Sequence, residues 1–236
     1  MNPSGYREVP APQWPGLVCV WTAELRADAA APFVQRVVPD GCVDLVWWWR
    51  DAQVRVAGPD TGPVPAVIEP GDALVGVRFG PGLAPPALGV PADAVRDGRV
   101  PLRELWGAEA DRLGAAMAGA ADPGAVLARA AAARAAAGGA GDPLVPAMVA
   151  GLARSPVRAV ADDLGLGERQ LRRRALAAFG YGPKTLQRVL RFQRALGMAR
   201  AGRPLADVAY AAGYADQPHL AHEVRALAGE PIRALL

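Results

Sequence analysis

The sequence predicts an α+β protein in two parts: a small β-barrel or sandwich-like N-terminal domain with flanking helices, and an all-α C-terminal domain. Three observations carry this. Short β-type runs broken by Pro- and Gly-rich turns fill the first hundred residues. Alanine-rich segments with apolar residues near helical spacing follow them. Beyond residue 151 a pair of amphipathic helices occurs twice, as a near-repeat.

The β-type runs are 17–21, 33–38, 43–49, 54–57 and 73–79, separated by turn signals such as Pro39-Asp40-Gly41 and Glu69-Pro70-Gly71-Asp72. Many short strands at this spacing suit a small barrel or sandwich. Residues 101–119 and 123–137, with Leu102, Leu105, Leu113 and Met117 near helical spacing, predict two helices. The stretch 138–143, four of its six residues glycine or proline, reads as a flexible break. Domains are therefore expected at 1–140 and 152–236, joined by a linker at 141–151, with 143–153 able to form a short connecting helix.

At 236 residues the chain can hold one large domain or two ordinary ones, and its 52% apolar and 21% charged content fits a globular protein with a core. No run of eighteen apolar residues exists and the start, MNPSGYREVPAP, is polar and proline-rich, which argues against a membrane span or a signal peptide. Cys19 and Cys42 give neither metal-ligand spacing nor a disulfide framework, so the cytoplasm is the expected location. Charge is divided unevenly. Residues 152–236 hold 14 Lys+Arg against 7 Asp+Glu, a balance of +7, whereas residues 1–151 hold 12 against 16, a balance of −4. A basic unit attached to a mildly acidic one is the footprint of a polyanion partner, with an ordinary solvated surface as the alternative.

Ser155-Pro156 is a helix start, a side-chain oxygen followed by proline at the first helical position. Val157, Val160, Ala161 and Leu164 then fall at i, i+3, i+4 and i+7, and Gly165 stops the helix. Forty-eight residues later the spacing returns as Leu205, Val208, Ala209, Ala212 and Gly213, with Pro204 ahead of it. After each glycine come a bulky residue (Leu166, Tyr214), a short turn and a second amphipathic helix, at 168–179 and 216–227. Small residues at Ala161 and Ala209 let paired helices cross closely, and a turn glycine tolerates positive φ. Two such copies, each with an exit containing Gly and Pro (180–183 and 229–231), are far more specific than one. Between them 183–201 reads as one continuous helix of roughly 28 Å, a length that could hold two reading helices about one DNA turn apart.

With these residues in hand, 155–236 resembles the DNA-binding domain of the AraC/XylS family of transcription regulators: seven helices, two helix-turn-helix units and a linker helix. The resemblance is carried by Ala161, Leu164-Gly165-Leu166-Gly167, Gln170-Leu171, Arg173, Gly180, Pro183, Arg191, Arg194-Ala195-Leu196, Asp207-Val208-Ala209, Gly213-Tyr214, Asp216-Gln217 and Leu220. Residues 1–140, with the stretches 38–47 and 75–82, resemble an uncharacterised N-terminal domain fused to such units in actinobacterial regulators. Departures exist: Gly167 stands where the family carries a capping Ser, Ala175 replaces a buried aromatic, and His222 and Val224 replace a frequent arginine and an aromatic core residue. The missing cap should weaken the first recognition helix by roughly 0.5–1 kcal/mol, unless Glu168 near its positive end compensates.

The resemblance implies which residues meet DNA. Leu171, Ala175 and Phe179 share an inward face, while Arg169, Arg172 and Arg173 lie toward the major groove, where arginine can donate twice to guanine. Arg174 is expected at phosphate, as are Lys184, Arg188 and Arg191 on the linker helix. On the second recognition helix Gln217, Pro218, Ala221 and His222 take the groove-facing positions. With Glu223 beside it this helix is less basic, so the first unit is expected to read most of the sequence. His219 and His222 are i, i+3, formally a metal pair, but their place in the motif favours groove contact or cap packing.

Five of the six tryptophans lie in the first fifty residues, with Trp106 beyond them. Strand alternation puts Val43, Leu45, Trp47 and Trp49 on one face and Asp44, Val46 and Trp48 on the other. An Asp44–Arg78 pair in a Trp-lined mouth would form a pocket for an aromatic or weakly polar effector, with Cys42, Asp44, Trp47, Trp48 and Arg78 as candidate lining. The bland alternative is that these tryptophans fill a core and Asp44 caps a turn. No histidine occurs before His219, so a His-ligated metal in the N-terminal domain is not expected, and neither is a cofactor. Cys42 as a redox or alkylation sensor is weighed against an inert buried thiol, the commoner case. No nucleophile motif, phosphate loop or spaced carboxylate pair appears, so the chain is not expected to be an enzyme.

The expectation is a sequence-specific DNA-binding regulator, monomeric or homodimeric, responding to a small molecule bound by residues 1–140. RNA polymerase is a further candidate partner. The alternative is a small-molecule or stress sensor whose helical half works through protein contacts.

Overall fold

A computed structural model describes residues 5–236, so the polar start read against a signal peptide begins outside the described residues. Its strands are β1 (Arg7–Pro10), β2 (Leu17–Glu24), β3 (Phe33–Val37), β4 (Val43–Trp48), β5 (Gln53–Ala57), β6 (Val64–Ile68), β7 (Ala73–Phe79) and β8 (Arg99–Pro101). Six of them form one antiparallel sheet in the order β1-β2-β7-β4-β5-β8, while β3 and β6 pair with each other as a separate ribbon. The β-rich N-terminal domain is thus present, but the sheet is open and not a closed barrel. With β3 and β6 paired in the ribbon, no strand among the described residues bridges the edges β1 and β8.

Alternation along the strands gives the sheet two distinct faces. Val43, Leu45, Trp47, Val56, Val77 and Phe79 point to one side. They pack there against α1 (Pro85–Leu88), α2 (Arg103–Trp106), α3 (Ala108–Ala118) and α4 (Pro123–Ala137). Burial of each larger side chain in this layer contributes roughly 1.5–3 kcal/mol. The opposite face presents Cys19, Trp21, Ala23 and Leu74, with Val46 and Trp48 beside them, and is covered in part by Phe33 and Ile68 of the ribbon.

The C-terminal half contains α5 (Val145–Leu152), α6 (Val157–Asp163), α7 (Glu168–Phe179), α8 (Pro183–Arg200), α9 (Leu205–Ala212) and α10 (Gln217–Ala228). The near-repeat seen in the sequence becomes two units with matching turns. Gly165 and Gly213 take φ of +62° and +84°. The Leu166 N–H donates to Ala161 O in one unit and the Tyr214 N–H to Ala209 O in the other, both at 2.9 Å. This bond satisfies a helix-end carbonyl and fixes the angle at which the second helix leaves. One stripe along α8 serves both units. Leu186 and Val189 join the core of α5, α6 and α7, whereas Phe192, Leu196 and Ala199 join that of α9 and α10.

Each unit also rests on the N-terminal half. At the exit of α7, Tyr181 is 2% exposed, and its hydroxyl would lie 3.4 Å from a methyl at Gly41. Arg96 Nη1 donates to Gly180 O at 3.0 Å. Beyond α10, Glu230 accepts from Arg36 at 2.5 Å. Between these two points, Gln193 Nε2 of α8 donates to Pro39 O at 2.6 Å.

Candidate functional site

On α7, Leu171, Ala175 and Phe179 are buried, and Arg169, Arg172 and Arg173 are exposed on the opposite side with no ion-pair partner among the described residues. The helix starts at Gly167, which has no side chain to cap it. Half of a capping box survives, since Gln170 Oε1 accepts from the Gly167 N–H at 3.0 Å. Arg174 differs from its neighbours: its Nη1 donates to Asp142 Oδ2 at 2.7 Å, tying α7 to the segment before α5.

On α10, Gln217, Pro218 and His222 are exposed and Ala221 is half-buried. Asp216 caps the helix by accepting from the His219 N–H at 2.7 Å. His219 Nδ1 accepts from the Ala215 N–H, and its ring meets Tyr214 edge-on at 5.3 Å. Glu223 turns inward and is 8% exposed. Its carboxylate accepts from Arg188 Nε at 2.8 Å and from Arg191 Nη2 at 2.9 Å. Burial acts to raise the Glu223 pKa, but the two guanidinium hydrogen bonds outweigh it and hold the group below the ordinary glutamate value. The Arg191 guanidinium also stacks 4.5 Å above the Tyr214 ring. Two of the three linker cations expected at phosphate therefore have intramolecular partners, while Lys184 stands exposed. The inward turn of Glu223 follows from its place in the stripe Leu220, Glu223, Val224, Leu227, a signal the sequence contained.

A cavity of about 330 Å³ lies between the second face of the sheet, the ribbon and α8. Trp21, Val46, Trp48 and Leu74 form its floor, and Ala66 and Ile68 one side; Gln193, Leu196 and Arg200 of α8 close it. The register of β4 and β7 sets Asp44 opposite Arg78. Their side chains make two bonds of 3.0 Å, and Asp44 also accepts from Trp21 Nε1 at 2.9 Å. Arg78 reaches Glu8 at 3.1 Å and lies 3.7 Å from Asp40. Burial pushes the Asp44 carboxyl up and the Arg78 pairing opposes that; for Arg78, burial is more than offset by Asp44 and Asp40, and its charge is firmly held.

The indole of Trp21 lies flat over Gly76. A methyl there would fall 2.2–2.5 Å from indole atoms, so glycine alone leaves room for the ring. Of the five candidate effector residues, Asp44, Trp48 and Arg78 line the cavity. Trp47 belongs to the helical core on the other face of the sheet, 1% exposed. Cys42 stands aside, its N–H donating to Asp40 Oδ1 at 2.8 Å. Burial, with Asp40 and Asp44 nearby, pushes its thiol far above the usual range, opposite to what a reactive thiolate needs. Burial likewise raises Cys19, to about 11. Sequence reasoning missed Tyr6, the ribbon residues and the α8 residues of the cavity, which come from segments distant in the chain.

Family models match two stretches of the chain: residues 10–101 match a domain of unknown function (DUF6597), and residues 160–236 match a helix-turn-helix domain. No curated protein matches the sequence. Among solved structures the chain is similar to an apo ToxT variant from Vibrio cholerae, at 8% identity and a TM-score of 0.48, over 93% of this chain and 96% of that one. It is also similar to unsaturated fatty acid bound wild-type ToxT from Vibrio cholerae, at 8% identity and a TM-score of 0.44, over 89% and 96%. No helix among the described residues is long and apolar enough to cross a membrane. The chain thus carries a DUF6597 domain ahead of an AraC-type helix-turn-helix domain.

Proposed function

We propose that the chain is a sequence-specific regulator whose grip on DNA is set by a small molecule held in the cavity. In this assignment residues 1–140 sense, 141–151 link and 152–236 bind duplex DNA. The observation that carries the reading is that Gln193, Leu196 and Arg200, which close the cavity, belong to the helix that supplies both helix-turn-helix cores. A molecule touching α8 acts on the element that sets the two reading helices relative to each other. A ligand shifts such an equilibrium only by its differential affinity for the two arrangements.

Arg169, Arg172 and Arg173 are the proposed base readers, and Gln217, Pro218, Ala221 and His222 form a less basic second contact. Lys184 is the proposed phosphate contact of the linker helix; Arg188 and Arg191 would first have to leave Glu223. The test is capture of genomic DNA by the full chain, followed by affinity for the recovered site with and without a cavity ligand. A ligand that binds but leaves DNA affinity unchanged removes the coupling. Failure to recover a preferred site removes sequence-specific reading.

A second reading has its own observation. Tyr210 on α9 is 88% exposed, an unusual position for a large ring, and suits a protein contact such as RNA polymerase beside the DNA. Loss of transcription in Tyr210→Ala with unchanged DNA affinity would support it.

A further inference from the structure

The cavity also specifies what it takes. We infer that its ligand is a neutral, flat, mainly apolar molecule with one hydrogen-bond acceptor, which Trp48 Nε1 holds; this rests on the cavity being the effector site.

Charge comes first. The charged groups around the cavity, apart from Arg200 at its exposed α8 edge, are already matched within the chain. Asp44 is held by Arg78 and Trp21, Arg99 by Asp60 at 2.8 and 2.9 Å, Arg55 by Asp51 and Arg36 by Glu230. Glu8 accepts from Tyr6 and Arg78, Asp40 from the Cys42 N–H, and Arg200 donates to Leu235 O. A charged ligand would have to break one of these pairs, go uncompensated in a mostly apolar space, or stay at the exposed edge where Arg200 lies, and the first two are costly.

Hydrogen bonding comes second. The two indoles of the cavity differ in this respect. Trp21 Nε1 is engaged by Asp44, whereas Trp48 Nε1 is buried without a partner among the described residues. A buried donor left unmade is costly, so a ligand that supplies an acceptor gains over one that does not. The guanidinium groups of Arg50 and Arg55 lie 5.0 and 5.9 Å from the Trp48 ring centroid, and both are paired, with Asp72 and Asp51.

Shape comes third. The Trp21 ring, laid over Gly76, has Tyr6 at 5.7 Å and shares the cavity with Trp48, Leu74 and Leu196. Aromatic and aliphatic walls around a space of about 330 Å³ suit a small ring system.

Four naphthalenes of one shape test this on the full chain by titration calorimetry: 2-acetylnaphthalene, 2-ethylnaphthalene, 2-naphthoate and 2-naphthylmethylammonium. The ketone should bind about tenfold more tightly than the ethyl compound, the difference expected for satisfying one buried donor. Both ions should bind more weakly than the ketone. Trp48→Phe should remove the ketone's advantage, bringing the ratio of the two affinities to about one whatever it does to either affinity alone. The inference is overturned if either ion binds best, if ketone and ethyl compound bind alike because water serves Trp48, or if the ketone's advantage survives Trp48→Phe. The ranking on the unaltered chain stands as a test even if that variant fails to fold. Absence of binding by all four would instead remove the cavity as an effector site, a different failure from a wrong ranking.

Discussion

Gly76→Ala places a methyl 2.2–2.5 Å from three atoms of the Trp21 indole, where about 3.5–4.0 Å is needed. The ring must retreat by more than about 1.3 Å, and it is rigid and anchored to Asp44 by a 2.9 Å bond. Two costs follow: about 1–3 kcal/mol for overpacking and about 1.5–3 kcal/mol for weakening a hydrogen bond to a charged acceptor. One gain opposes them, since alanine suits a strand better than glycine by about 0.5–1 kcal/mol. The costs win, leaving a net loss of about 2–5 kcal/mol, or a fall in Tm of roughly 5–15 °C for a chain of this size. The displaced indole can escape into the cavity, so a bound naphthalene should lose at least tenfold in affinity while DNA affinity without ligand is kept. Thermal unfolding by circular dichroism and calorimetric titration read the two effects. A Tm at or above that of the parent chain, together with unchanged ligand binding, would mean that strand propensity decides and that Trp21 is not seated on Gly76.

Arg172→Ala should relax preference at one base position at a cost of about 1–3 kcal/mol, whereas Lys184→Ala should weaken all sequences alike and reduce the salt slope by about one; competition binding at several salt concentrations separates them. Arg174→Ala, whose guanidinium is paired with Asp142, should change DNA affinity far less than Arg172→Ala, and equal losses would refute the pairing. Glu223 titrates below the ordinary value of 4.5, so its clamp on α8 stabilises fully above about pH 4.5 and is lost as pH falls through the depressed folded value. Glu223→Gln should therefore lower Tm at pH 7 but much less at pH 3, and a pH-independent difference would refute the linkage. Tyr181→Ala empties a buried position between the halves and should cost about 3–5 kcal/mol. Hydrogen exchange in 92–95 and 180–183 should rise together, and protection unchanged in both would refute the docking.

The helical half was legible because its signals are local. A proline start, a stripe at i, i+3, i+4 and i+7, a turn glycine and a second copy forty-eight residues on depend on neighbours in sequence. The faces of β4 were legible for the same reason: alternation separates Asp44 and Trp48 from Trp47 whatever covers them. Which face meets the helices and which the cavity is a tertiary choice, and Trp47 fell on the wrong side of it. The partners of the basic residues were hidden likewise. Asp142 and Glu223 lie 32 residues from Arg174 and Arg191 and reach them only once the helices are docked. The cavity needs Tyr6, the ribbon and the end of α8 together, and no window of the sequence contains all three.

The two helix-turn-helix units are joined to each other through α8 and separately to the N-terminal half, at Gly180 and at Glu230. Three bodies braced pairwise form a triangle, and a triangle cannot shear without breaking a side. While both braces hold, any mismatch between the spacing of the reading helices and straight B-form DNA must be absorbed by the duplex. Bending a short site costs of order 1–6 kcal/mol and is cheapest where pyrimidine–purine steps fall. Under the proposed function, operators should accordingly be selected as much for the pliability of the uncontacted base pairs between the two units as for the bases that Arg169, Arg172 and Arg173 are proposed to read.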